Sequence, residues 1–138
     1  MSNNTIEIVK TFKTDKKILT EIESILKSIQ FQFPFGDDKF HNMLIATTEA
    51  IINAIQHGNK YDPSKQVTLK IFGRKDLVQI IVQDEGEGFD PTIIPDPRTP
   101  DNLLKERGRG IFLIRELSNS TKIITGKSGT TVIMEFYL

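Results

Sequence analysis

Apolar and polar positions along this chain follow two rhythms, and each change of rhythm marks an element. From Thr5 to Phe12, Ile6, Ile8 and Thr11/Phe12 alternate roughly with polar residues, which predicts a short strand. Asp15 opens the next stretch, Lys16 to Gln30, where Ile18, Leu19, Ile22, Ile25, Leu26 and Ile29 recur at intervals of three and four. That spacing predicts an amphipathic helix with one buried stripe. Phe31, Phe33 and Phe35, with Pro34 and Gly36, form an aromatic connection expected to fold back onto the core. Asp37 or Asp38 can cap a second helix. It runs to about His57, stops at Gly58 as a left-handed terminator, and buries Phe40, Leu44, Thr47, Ile51, Ala54 and Ile55.

After a turn at Tyr61-Asp62-Pro63-Ser64 the period falls to two. Val67, Leu69 and Ile71 alternate, Gly73-Arg74-Lys75-Asp76 turns, and Leu77 to Val82 returns, so a hairpin is predicted. Pro91 to Arg107 holds four of the six prolines, which bar it from helix interior or sheet centre. A loop of that length in a compact domain is a functional lid or disordered; as a lid, 91–107 is expected to become more protected when nucleotide binds. Gly110 then leads an apolar helix to about Leu117. Thr121 to Thr125 and Thr130 to Tyr137 are two last strands around Gly126-Lys127-Ser128-Gly129. The order β-α-α-β-β-lid-α-β-β predicts an α+β fold: a two-layer sandwich with a mostly antiparallel sheet and helices on one face.

Composition narrows the function. At 138 residues, with no repeat, the chain is expected to be a single domain spanning 1–138. Lys+Arg and Asp+Glu balance at 18 each, so no overall basic field draws nucleic acid or an anionic membrane. No apolar run nears the roughly 20 residues of a membrane span, and the N-terminus lacks signal-peptide features, so a cytoplasmic location is expected. Without cysteine and with two histidines, thiol chemistry and a zinc site are not expected.

Three segments carry candidate chemistry. On the second helix Glu49, Asn53 and His57 advance about 40° per step and form one stripe. Many such stripes are solvated faces, but the flanking Ala46, Ala50, Ile52 and Ala54 are small or apolar, so this one lines something. A carboxylate beside a carboxamide can orient a hydroxyl or ligate Mg²⁺, which prefers oxygen. Gln83-Asp84-Glu85-Gly86-Glu87-Gly88-Phe89-Asp90 follows an apolar strand. As an acidic turn it is unremarked, and it lacks the spacing of a calcium loop. As a site, Asp84 would accept from the exocyclic amine of a base, with Gly86 and Gly88 leaving room and Phe89 packed beneath. Gly108-Arg109-Gly110 reads as a helix start, whose free amides with Lys105, Arg107 and Arg109 make a phosphate-side environment. Gly126-Lys127-Ser128 imitates the end of a P-loop, but Thr121 stands where the first glycine is needed. Eukaryotic-type kinase signatures are missing as well.

Together these segments resemble the Bergerat-fold ATPases (the gyrase, heat-shock chaperone, histidine kinase and mismatch-repair superfamily), and among them the bacterial anti-sigma factor serine/threonine kinases. Glu49 to His57 is similar to the family's N box, Asp84 to Phe89 to its first glycine box, and Gly108 to Ile114 to its second; Pro97 to Gly110 looks like the ATP lid. The resemblance implies ATP and Mg²⁺ as cofactors, with Asn53 on the metal and Glu49 as base or water-orienting carboxylate. It implies Asp84 on adenine with Thr130 holding a water beside it, and Gly86 and Gly88 allowing close approach. Gly108, Arg109 and Gly110 would cradle phosphates, with Lys60 and Asn59 near them.

The helical hairpin of a full histidine kinase is missing, so autophosphorylation at His41 or His57 is not expected and a separate partner is. The implied function is a protein serine/threonine kinase acting on an anti-anti-sigma partner and sequestering a sigma factor. The alternative is a non-catalytic module whose shape ATP sets. The exposed first strand and helix would support a homodimer.

Overall fold

The structure, a computed structural model, describes residues 4–14, 16–89 and 103–138; for Lys16 and residues 103–107 it describes backbone alone. Strand β1 (Ile6–Lys13) leads through a 3₁₀ turn (Lys16–Ile18) into α1 (Leu19–Gln32) and then α2 (Asp37–Asn53), which continues as a π-helical turn (Ala54–Gly58). β2 (Gln66–Arg74) and β3 (Leu77–Gln83) follow, then α3 (Leu103–Leu117), β4 (Ser120–Gly126) and β5 (Gly129–Tyr137). The element order is the one the sequence predicts.

The five strands form one sheet in the order β1-β2-β3-β5-β4, every pair antiparallel. Two-residue turns fix two of the registers, pairing Arg74 with Leu77 and Gly126 with Gly129. Alternation then sends one side chain in two toward the helices. Ile71, Ile80 and Met134 make one fully buried cross-strand row, and Leu69, Val82 and Val132 the next. α1 closes this layer with Ile22, Leu26 and Ile29, and α2 with Phe40, Met43, Ile51 and Ile55. Each such aliphatic side chain contributes roughly 1.5–3 kcal/mol on burial. The fold is the expected two-layer α+β sandwich.

Several local expectations are corrected. α2 starts from Gly36 as N-cap with no side-chain cap bond; Asp37 and Asp38 lie in its first turn, where they favour the helix dipole instead. α1 runs on to Gln32, so Phe31 sits on the helix and is exposed, while Phe33 alone of the three phenylalanines is fully buried. Gly58 is not left-handed; the positive φ angles fall at Lys60 (52°) and Tyr61 (59°) beyond it. α3 begins at Leu103, so Gly108–Gly110 lie inside it rather than at its start. All four prolines of the preceding stretch come before Leu103, and Leu103 to Arg107 are strong helix formers that outweigh two glycines. Residues 91–102 of the expected lid, and Asp15, expected to open the first helical stretch, lie outside the described residues; 103–107 are helical.

Candidate functional site

The pattern that builds the core also aims the site. Asp84 lies two residues past Val82, so its side chain continues the inward row just beyond the last ladder pair, Gln83–Thr131. Its N–H donates to the Thr130 carbonyl at 2.9 Å, which extends the ladder by one bond. The carboxylate is buried, 4% exposed, and its Oδ1 accepts from the N–H of Gly86 (2.9 Å) and of Thr130 (3.1 Å). Opposite, α2 turns Asn53 into the same space. Asn53, Asp84, Phe89 and Thr130 line one cavity with Ala50, Ala54, Val82, Ile111 and Val132. Three sequence segments far apart thus meet at a single point.

That cavity encloses only about 10 Å³, room for about one water molecule. Its roof is α3: a Cβ on Gly110 would sit 2.8 Å from Asn53 Nδ2, so the helix backbone rests on the carboxamide. Nδ2 is buried there without a hydrogen-bond partner. An orphaned amide costs roughly 1–3 kcal/mol, so the side chain is kept where a ligand, not the fold, would satisfy it. One turn earlier Glu49 is half-buried. Burial raises its carboxyl above the usual range, and the Arg109 guanidinium opposes that shift in part. A larger open groove of about 930 Å³ lies at the other end of the sheet, beside Phe33, Phe72 and Arg74, and contains none of the candidate residues.

Glycines set how closely the elements approach. A Cβ on Gly58 would stand 2.2 Å from Asp84 Oδ2, and one on Gly86 only 2.1 Å from the Gly58 carbonyl. Gly58 therefore matters as a close contact with Asp84, not as a helix terminator. Gly88 (φ +81°) lies against the β4–β5 turn instead. Thr130 reaches Asp84 through its backbone, because its hydroxyl is bonded to Thr125 Oγ1 (2.9 Å), which also accepts from the Phe89 N–H. Lys60 is exposed and outside the cavity lining. Asn59, expected near phosphates, is buried and spent on structural bonds to Gln66, Thr14 and Glu85. The side chains of Lys105 and Arg107 lie outside the described residues. The four amides a helix leaves unpaired belong to its first turn, so those of Gly108–Gly110 are engaged within α3. Sequence reasoning missed Gly58 and Thr125. The only trace of Gly58 was its place at the end of the Glu49 stripe, and threonine in a strand gave none for Thr125.

An acidic strand end and a buried carboxamide thus line one cavity, beneath helices on one side of an antiparallel sheet. Residues 12–136 match the histidine kinase-like ATPase domain family, and the chain belongs to it. It is similar to the serine-protein kinase RsbW of Bacillus subtilis (strain 168), 29% identical over 144 residues that cover all of this chain and 89% of that one. The serine-protein kinase RsbW of Bacillus licheniformis is 31% identical over 126 residues, 85% of this chain and 76% of that one. Among solved structures, the RsbU and RsbW domains of Rv1364c from Mycobacterium tuberculosis superpose with a TM-score of 0.65 at 17% identity, over 95% of this chain and 32% of that one. The histidine kinase domain of the Erythrobacter litoralis EL346 blue-light activated histidine kinase gives 0.56 at 18%, over 91% and 64%. Likeness at such identities speaks for the fold. Among the described residues, no helix is long and apolar enough to cross a membrane.

Proposed function

We propose that this chain binds ATP between α2 and the joined ends of β3 and β5. It passes the terminal phosphoryl group to a serine or threonine of a separate anti-anti-sigma protein, and holds a sigma factor when that transfer is not under way. One observation carries the reading: Asn53 and Asp84, 31 positions apart on a helix and a strand end, line the same cavity. Asp84, held by two amides, accepts from the exocyclic amine of adenine. Asn53 offers its carboxamide oxygen on the phosphate side. Glu49, one turn away, takes the proton of the attacking hydroxyl as that oxygen bonds to the γ-phosphorus and ADP departs. A carboxyl raised by burial suits a base better than a fully solvated one.

Mg²⁺ fits this donor set. The described residues hold no cluster of three metal-ligating acids or histidines, and a magnesium site needs only one or two protein oxygens beside phosphates and water. Bound, the ion would neutralise phosphate charge. Asn53 would hold it, with Glu49 beside the reacting hydroxyl. The roof of α3 has to give way for the nucleotide, and the amides of Gly108, Arg109 and Gly110 become available to phosphate once that start of the helix opens. Such a partner supports a cytoplasmic location.

The experiment is radiolabel transfer from Mg-ATP to a candidate anti-anti-sigma protein, with calorimetry alongside. Glu49→Gln should bind ATP like the unaltered chain and lose transfer by roughly 100-fold or more. Undiminished transfer in that variant removes Glu49 from its role. Tight ATP binding with no transfer by the unaltered chain would leave a module whose shape ATP sets.

A further inference from the structure

Asn59 stands just beyond the π-helical turn, and that turn decides where its side chain goes. Its N–H donates to the Ala54 carbonyl five residues back, at 2.8 Å. The wider turn shifts residue 59 off the α2 spacing and sends its carboxamide inward, leaving the residue 1% exposed. There it closes a ring across three segments. Oδ1 accepts from the Glu85 N–H (2.8 Å), and Nδ2 donates to the Gln66 carbonyl (3.0 Å). The Gln66 N–H completes the circuit by donating to Glu85 Oε1 (2.7 Å). A longer contact runs from Nδ2 to Thr14 Oγ1 (3.3 Å).

The ring grips the residue next to Asp84. Glu85 is pinned to Asn59, while Gly86 sits against the Gly58 carbonyl and donates to Asp84 Oδ1. The end of α2 and the strand-end turn therefore move as one piece, with the Asp84 carboxylate between them. Nothing in the ring faces the cavity, and Asn59 is not among its lining residues.

We propose that Asn59 is a positioning residue for base selection: by holding the Glu85 amide it fixes where the Asp84 carboxylate meets the base, and it touches no part of the nucleotide itself. This rests on the reading of Asp84 as the acceptor for the exocyclic amine. A site built to accept from an amine rejects a base that carries a carbonyl there, because two electron-rich oxygens then face each other with no proton between them. Loosening the ring lets Asp84 drift, so discrimination falls more than overall affinity does.

The test compares ADP with inosine diphosphate, whose base carries a carbonyl where adenine has the amine, by calorimetry in Mg²⁺. The unaltered chain should prefer ADP by about 100-fold or more. Asn59→Leu, which removes the acceptor for Glu85, should cut that preference at least tenfold while inosine diphosphate binds within about threefold of its original strength. Asn59→Ala removes the same acceptor without bulk and serves if the leucine variant does not fold. Thr14→Val, which loses the longer contact to Asn59 and the hydroxyl's own bond to the Lys65 carbonyl (3.1 Å) but no bond of the ring, should keep the preference. A general loosening of the fold would instead weaken both nucleotides alike and leave the ratio unchanged, and that result overturns the proposal. If the unaltered chain shows no preference, or Asp84→Asn leaves it intact, the reading of Asp84 fails and this inference with it. A preference lost in Asp84→Asn yet intact in Asn59→Leu overturns the Asn59 inference alone.

Discussion

Glu49 and Arg109 illustrate how a single pair of side chains sets a pH response. Burial lifts the Glu49 carboxyl and Arg109 holds it partly down, so Arg109→Ala should raise it further. In the proposed role as base Glu49 must be ionised, so the acid limb of the transfer rate should move to higher pH in that variant, measured as rate against pH. Stability follows the opposite sign. A carboxyl raised in the folded state contributes most below its unfolded value, and the contribution is lost as pH rises through the folded value. Melting temperatures across that range should therefore show Glu49→Gln gaining on the unaltered chain as pH increases. Gly58 sets a harder constraint. A methyl group 2.2 Å from Asp84 Oδ2 cannot be accommodated, so Gly58→Ala should destabilise by roughly 1–3 kcal/mol and weaken ATP binding, read by denaturant melts and calorimetry.

At the scale of the elements, α3 is the one that the proposed binding mode requires to change. It carries Gly108 and Gly110 in its interior, each costing a helix about 1 kcal/mol relative to alanine, and it rests on Asn53 over a cavity of about 10 Å³. Mg-ADP should therefore lower amide-exchange protection at 108–111; protection that stays equal or rises would count against this account. The start of α3 was also what the sequence concealed. α1, α2 and both hairpins were legible because Ile18 to Ile29, Phe40 to Ile55 and the alternating valines and isoleucines repeat the period of the face they bury. At Leu103 no such repeat guides the eye, and prolines and glycines on either side dominate the local signal. The π turn was hidden for a related reason: a shift of one residue changes which side chain points inward without altering composition. So Asn59, expected near phosphates, is an interior residue. Asn53 and Asp84 were legible as chemistry, but their meeting depends on strand register, which only pairing decides.

For the molecule as a whole, one continuous core supports both layers, and the site sits at its rim. Leu26 is fully buried on α1 and is not among the cavity-lining residues. Leu26→Ala should cost roughly 2–5 kcal/mol in a thermal or urea melt while the folded fraction binds ATP with unchanged affinity. A loss of affinity would mean that core and rim are coupled. The backbone of Gly110 lying on Asn53 has one further consequence, in time rather than in strength. On the proposed site, small purine-like competitors enter only when that stretch of α3 yields, so their apparent affinity is reduced in proportion to the fraction of molecules already open. Stopped-flow traces with such a compound should saturate: beyond a certain dose, adding more does not speed capture, and the plateau reports how often the roof lifts unaided.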